Sequence, residues 1–326
     1  MFNSLRVCII ISVINVVEIG ENVEFYKRKR NIIILAIICC ILWGSAYPAI
    51  KIGYELFNIN DVGSKLIFAG IRFSLAGLVV LIYNLIMTKK IMFNKKDMMS
   101  ISILGIMQTT LQYFFFYIGM SNTTGSKGSI INGMSAFFSI ILSHFIYKND
   151  KLNKNKIYGC LIGFIGIVIV NIDNSIENLF GSFSIFGEGF VAISTLLVSI
   201  SAIYSKKITK DKDTIYVTGY QLFIGGLLLI VFGKILGGKI IINNMSSVLL
   251  LGYMVIISSV AFALWTNLIK YNKVGVISIY NFLIPVFGTI LSGIFLKENI
   301  FKINILVSLL FVSVGIILIN IKERFN

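Results

Sequence analysis

SKGSIINGMSAFFSIILSHFIYKNDKLNKNKIYGCLIGFIGIVIVN, residues 126–171, aligns without a gap on GVISIYNFLIPVFGTILSGIFLKENIFKINILVSLLFVSVGIILIN, residues 275–320, at an offset of 149 residues. Identical pairs include Ser129/Ser278, Asn132/Asn281, Phe138/Phe287, Leu142/Leu291, Ser143/Ser292, Lys148/Lys297, Asn155/Asn304, Gly166/Gly315 and Asn171/Asn320. Ile and Leu runs match by chance in any apolar chain. Paired Asn, Ser and Gly at one fixed offset do not, so the chain contains an internal repeat. The same offset lays Ala76-Gly77-Leu78 onto Gly225-Gly226-Leu227.

A helix crossing the hydrocarbon core of a bilayer needs about 20 apolar residues. Ten stretches qualify: 31–50, 65–87, 98–118, 124–147, 157–172, 186–205, 214–236, 246–269, 274–296 and 303–321. A unit of 149 residues then holds five spans, and because five is odd the second copy sits upside down relative to the first. The expected fold is an all-α membrane protein of ten transmembrane helices, arranged as two inverted five-helix repeats, 31–172 and 186–321. Inverted repeats characterise secondary transporters, in which one half rocks against the other around a midplane site.

Composition supports the membrane class. Of 326 residues 57% are hydrophobic and 13% charged, with a mean hydropathy of +0.90, so too little polar surface exists for an ordinary soluble domain. The net charge of +15 does not indicate nucleic acid, because the Lys and Arg punctuate apolar runs instead of collecting on one face. Cys8, Cys39, Cys40 and Cys160 lie in apolar stretches without metal-type spacing and read as packing or lipid-facing residues. No cofactor and no metal is expected. A membrane-embedded enzyme would need a nucleophile, metal cluster or paired acids at depth, and all fourteen Asp and Glu fall in the leader, in loops or at span ends. A channel is the other alternative that the sequence leaves open.

Residues 1–30 form a leader. Its apolar run, Val7 to Val17, is too short to span and lacks a small-residue cleavage site, so it reads as a short interfacial helix or as translation assigned from an upstream start. With the amino terminus inside, the cytoplasmic segments hold twenty Lys and Arg and the outer loops hold seven. Cytoplasmic loops carry the basic excess. Both termini are therefore expected on the cytoplasmic side of a multi-pass protein of the cell membrane.

Trp43-Gly44-Ser45-Ala46-Tyr47-Pro48-Ala49-Ile50-Lys51 resembles the first-helix signature of EamA-type transporters of the drug/metabolite transporter superfamily. Arg72-Phe73 in the second span, Asp150 followed by Gly159 and Gly166, and Pro285 with Leu296-Lys297-Glu298 resemble that family's marks in both halves, and the likeness covers roughly residues 31–321. Two positions depart from the pattern: Ala136 stands where a proline is frequent, and Asp150 where a glutamate is usual. The resemblance implies a ten-helix permease with a central cavity, often an exporter of amino acids or related metabolites.

Polar groups at span depth are the candidates for a substrate cavity, since each is costly in lipid without a partner. Gln108 and Gln112 lie four apart on one face of span three, with Tyr113 beside them; Asn132 and Asn281 are repeat mates. Tyr47, Trp265 and Tyr280 would add aromatic walls with a polar edge. The bland alternative for all of them is helix packing, as for the stripe of Ser129, Ser139, Ser143, Ser278, Gly288 and Ser292. Arg72 and Lys127 are assigned to the electrostatics of the outer mouth; for Arg72 snorkelling is the plainer role and contact with a substrate carboxylate the sharper one. His144, the one histidine, is expected at the cytoplasmic interface. Expected partners are a small-molecule substrate, the lipid bilayer and, as an open alternative, a second copy in a homodimer.

Overall fold

The computed structural model describes residues 23–88, 95–123, 128, 131–171, 183–242, 244–296 and 303–321. Every regular element among them is helical. In chain order these are α1 (Val23–Lys27), α2 (Lys29–Leu56), α3 (Val62–Thr88), α4 (Lys95–Gly105) continued through a π-helical segment (Ile106–Leu111) into α5 (Gln112–Ser121), α6 (Ser135–Ile146) and α7 (Lys154–Asn171). A second π-helical segment (Ile185–Gly189) opens α8 (Phe190–Thr209), followed by α9 (Thr214–Ile235), α10 (Met245–Tyr271) and α11 (Val274–Ser278). A 3-10 segment (Ile279–Phe282) leads into α12 (Leu283–Leu296), and α13 (Ile303–Ile321) ends the described chain.

Seven of these rods are long and apolar enough to cross a membrane: Lys29–Leu56, Val62–Ile86, Asp97–Ser121, Ile185–Thr209, Thr214–Ile235, Met245–Tyr271 and Val274–Leu296. Ile131–Ile146 and Leu306–Ile319 are shorter apolar helices. The protein is thus a multi-pass, all-helical membrane protein. Several helices outrun the apolar stretch that marks them: α2 runs on to Leu56 and α8 to Thr209, because a helix keeps its hydrogen bonds into the headgroup region where polar side chains meet water.

Helix pairing fixes the architecture. α3 packs along α9, and α7 along α13; α2 lies against both α12 and α10, while α8 lies against both α6 and α5. Lipid tails are as apolar as Leu, so such contacts depend on close backbone approach, and glycine supplies it. A Cβ on Gly70 would stand 2.7 Å from the Gly226 carbonyl oxygen, and one on Gly77 2.7 Å from that of Gly219. On the α7–α13 seam, a Cβ on Gly159 would stand 2.6 Å from Gly315 O and one on Gly166 3.0 Å from Ser308 O.

Residues 1–22 lie outside the described set, but the end of the leader is built into the fold. Tyr26 of α1 is 1% exposed, stacks on Tyr271 at 5.6 Å and accepts a hydrogen bond at its carbonyl from Asn272 Nδ2 at 3.0 Å. Cys39, Cys40 and Cys160 are free, buried thiols, which selects packing over lipid exposure.

Candidate functional site

Helices α6 and α12 are both interrupted, at matching places. One helical turn at 131–133 precedes α6, and Met134 N donates to Ile131 O at 2.9 Å, a three-residue step in place of the α-helical four. Shifted by 149 residues, 131–134 falls on 280–283, where the 3-10 segment Ile279–Phe282 separates α11 from α12. Discontinuous helices at corresponding positions of two halves mark the binding region of many transporters, because unwound backbone is tolerated at membrane depth only where protein or a cavity satisfies it. Asn132 lies in the helical turn just before the first interruption, and Asn281 lies within the second.

Asn132 is the side-chain hydrogen-bond partner of Tyr47 from α2. Tyr47 in turn lies over Gly288 of α12, where a Cβ would stand 3.0 Å from the ring, and Gly44 one turn earlier meets Phe287. Tyr113 lies within electrostatic reach of both Tyr47 and Arg72 and hydrogen-bonds its neighbour Gln112. Asn132, Tyr47, Gln112, Tyr113 and Arg72 therefore form one neighbourhood. Trp265 joins it through Trp43, the two rings meeting edge to face at 5.1 Å. Trp43 also meets Phe262 at 5.6 Å, and Phe73 closes the cluster with Tyr113 at 4.4 Å and Phe262 at 6.0 Å.

Other expected cavity residues are placed differently. Tyr280 is 1% exposed in the core, its carbonyl accepting from Cys40 Sγ at 3.1 Å. Asn281 is half-buried, and its Oδ1 is enclosed without a hydrogen-bond partner. Gln108 is half-buried on the π-helical segment, but the polar seam from that segment to α9 is carried by Thr109 and Thr110. Thr109 Oγ1 donates to Gln221 Oε1 at 2.9 Å and Thr110 Oγ1 to Gly225 O at 3.0 Å. Lys127 lies outside the described residues. Ser139, Ser143 and Ser278 are buried among helices.

Arg72 does not reach for the interface. It is 2% exposed, its Nε donates to Ser258 Oγ on α10 at 2.6 Å, and its guanidinium stands 4.9 Å from the Phe73 ring centre. Its charge acts on Tyr54, Tyr113 and Tyr117, of which Tyr54 and Tyr117 hydrogen-bond one another. An arginine at the centre of a spanning helix costs about 2.5–3.5 kcal/mol on insertion scales. Such a residue persists where a partner or a function offsets that cost. Trp43, Tyr54, Phe73, Tyr117 and Ser258 join this neighbourhood without a signal in the sequence, since aromatics and serines are too frequent in this chain for any one of them to stand out by type.

The remaining buried charges serve structure. Glu188, 7% exposed, accepts from Thr123 Oγ1 at 2.7 Å and from Ser184 N at 2.8 Å, while Ser184 Oγ accepts from Gly187 N at 3.0 Å. This reciprocal cap satisfies orphan donors at the start of the α8 rod. Asp150 pairs with Lys156 and accepts from Gly275 N at 3.0 Å, tying the α6–α7 loop to the first turn of α11. His144 Nδ1 accepts from Leu152 N at 3.0 Å in the same loop. That bond puts the proton of the neutral ring on Nε2.

The family model described as the EamA-like transporter family matches residues 30–172 and again 185–321. The chain belongs to the EamA-like transporter family. Relatives include the uncharacterized transporter YvbV of Bacillus subtilis, 24% identical over 91% of this chain and 93% of its own length. A second Bacillus subtilis protein, the uncharacterized transporter YyaM, is 26% identical over 81% of this chain and 86% of its own length. A WAT1-related chloroplastic protein of Arabidopsis thaliana is 22% identical over 86% of this chain and 67% of its own length. A crystal structure superposes with a TM-score of 0.75 at 15% identity, covering 90% of this chain and 98% of the other, a likeness in fold. Family membership and these relatives point to a membrane transporter and away from an enzyme.

Proposed function

We propose that this family member is a secondary transporter that exports a small metabolite, such as an amino acid, across the cytoplasmic membrane. It works by alternating access between two inverted five-helix repeats, 31–172 and 186–321, with both termini cytoplasmic. Three shorter rods, the 131–146 helix, α7 and α13, complete ten spans with the seven long ones.

The observation that carries this reading is a reciprocity in the glycine contacts. Gly70 meets Gly226, which is 149 beyond Gly77; Gly77 meets Gly219, which is 149 beyond Gly70. Gly159 meets Gly315, 149 beyond Gly166, and Gly166 meets Ser308, 149 beyond Gly159. Two elements that contact each other in this crossed fashion are related by a two-fold axis, as in an isologous dimer interface. The other pairings obey the same exchange: α2 on α12 and α10 becomes α8 on α6 and α5. The two interrupted helices flank the axis, where a site reached alternately from either side belongs.

Topology and transport are tested separately. Single cysteines in 88–97 and 205–213 should react with a membrane-impermeant maleimide only in inside-out vesicles. Reaction from the outside would refute the proposed topology. In proteoliposomes, the purified chain should catalyse saturable counterflow of a labelled small metabolite; stepwise single-channel currents in its place would make it a channel.

A further inference from the structure

A guanidinium carries five N–H donors in a rigid fork. Among the described residues Arg72 has one hydrogen-bond partner, Ser258 Oγ, which itself donates onward to Met254 O at 2.7 Å. Two ion pairs between described residues, Lys156 with Asp150 and Lys212 with Asp97, lie elsewhere. A full charge at 2% exposure is thus held without a carboxylate. A second donor of the same cluster is also unsatisfied: Trp43 Nε1 is enclosed without an acceptor, and its ring connects to Arg72 through Phe262 and Phe73. The unpaired acceptor Asn281 Oδ1 is on the 3-10 segment, outside this cluster.

Unsatisfied donors with no matching acceptor are complementary to a group that only accepts. The arginine fork fits a carboxylate with two parallel bonds, and inside a low-dielectric wall such a pair is far stronger than in water. The cluster about the fork is built of rings: Phe73, over which the guanidinium stands, with Phe262, and Tyr54, Tyr113 and Tyr117, on which its charge acts. Rings of this kind cover an apolar body and offer hydroxyls at its polar end.

We propose that Arg72 is the substrate-binding residue for a carboxylate, and that the transported molecule is a carboxylic acid on an apolar or aromatic body, its acid group seated among Arg72, Tyr54 and Tyr117. This rests on the transporter reading above and narrows its substrate class. Ser258 is then a positioning residue, holding Nε so that the two terminal nitrogens face the ligand.

The chain carries two tryptophans; Trp43 packs in this cluster and Trp265 meets Trp43 edge to face at 5.1 Å, so intrinsic fluorescence reports on it directly. Purified full-length protein in an uncharged detergent is titrated with 3-phenylpropanoate and with its neutral isostere 3-phenylpropanamide. The acid should change the emission saturably, at a half-effect concentration at least about tenfold below the amide's, the worth of one charge-assisted bidentate contact. Arg72→Gln should bring the two together and Arg72→Lys should retain part of the gap. Should Arg72→Gln fail to fold, Tyr54→Phe keeps the charge and should weaken the acid alone. Equal responses to acid and amide, no saturable response to the acid, or an acid preference surviving in Arg72→Gln would overturn the assignment. So would phosphatidylglycerol in the micelles abolishing the acid's effect, which would make the anion at Arg72 a lipid phosphate. Counterflow in wild-type proteoliposomes separates the two layers. Transport with no preference for acids removes the carboxylate site alone, and acid-selective binding without counterflow removes the transporter reading alone.

Discussion

Gly70 and Gly226 are mutually indispensable: a Cβ on Gly70 would stand 2.7 Å from Gly226 O, and a Cβ on Gly226 2.8 Å from Gly70 O. Both obstructions are backbone, so no rotamer change relieves them. Replacing a helical Gly by Ala ordinarily gains up to about 1 kcal/mol from propensity. Here overpacking, about 1–3 kcal/mol, outweighs that gain. Gly70→Ala and Gly226→Ala should each lower the melting temperature in detergent, while Gly252→Ala, with nothing within 4 Å, should not. Equal melting temperatures for all three would contradict the close α3–α9 approach.

The Asp150–Lys156 pair is buried at 2% and 1% exposure and also holds Gly275 N. Removing one member of a buried pair strands the other and costs about 3–5 kcal/mol, whereas apolar replacement of both is often neutral. Lys156→Met alone should be strongly destabilising by thermal melting. Lys156→Met combined with Asp150→Asn should recover most of the loss, since Asn keeps an acceptor for Gly275 N. A double variant no better than the single one would show that the pair is not the unit.

Asp61 caps α3. Its carboxylate accepts from Ser64 N at 2.8 Å and Ser64 Oγ at 2.6 Å, and these bonds hold its pKa below the ordinary 3.8. A carboxyl depressed in the folded state binds its proton more weakly there than when unfolded. Its stabilisation is therefore present above the unfolded value of 3.8 and is lost as pH falls through the lower folded value. Asp61→Ala should cost about 0.5–2 kcal/mol at neutral pH, the usual worth of an N-cap. The melting-temperature gap to wild type should narrow only below pH 3.8. A gap independent of pH down to 2 would assign the loss to something other than the carboxylate.

Tyr47 and Asn132 join α2 to the interruption before α6. In the proposed transporter this bond spans elements that must move relative to one another, so Tyr47→Phe and Asn132→Ala should each impair counterflow. Because they remove the same bond, the double variant should be little worse than either single one. Additive losses would place the two residues in separate roles. Gln108, Gln112 and Asn281 are proposed to line the same path, and wild-type rates in Ala variants of all three would remove them from it.

Glu188 is bound into the cap of the α8 rod, and His144 Nδ1 into the α6–α7 loop. Each side chain thus serves a local structural bond. We therefore expect transport per folded molecule to survive Glu188→Gln and His144→Ala and to run without an imposed pH gradient. Accumulation against a substrate gradient that vanished in Glu188→Gln would make that carboxylate the coupling group. The cap predicts a lower melting temperature for Glu188→Gln, with turnover retained.

What the sequence by itself determined is what sums locally. Hydropathy over about 20 residues marks the apolar helices, because the cost of inserting a segment accumulates residue by residue. The 149-residue offset exposes a repeat, because each copy carries Gly, Ser and Asn that its own packing demands. The tertiary structure decided everything that depends on which helix faces which. That the helix before α6 is interrupted at Met134, and α12 is preceded by a 3-10 segment holding Asn281, is invisible in their composition, since the interruption follows from neighbours able to satisfy the freed backbone. Thr109 and Thr110 carry the seam to Gln221 and Gly225, where the longer amides of Gln108 and Gln112 were the conspicuous choice. Arg72 reads in one dimension as an arginine a short way inside a span, free to snorkel. Only the meeting of α3 with α2, α5 and α10 encloses it with Ser258 and three tyrosines, because a side chain's solvation is fixed by what the distant chain brings to it.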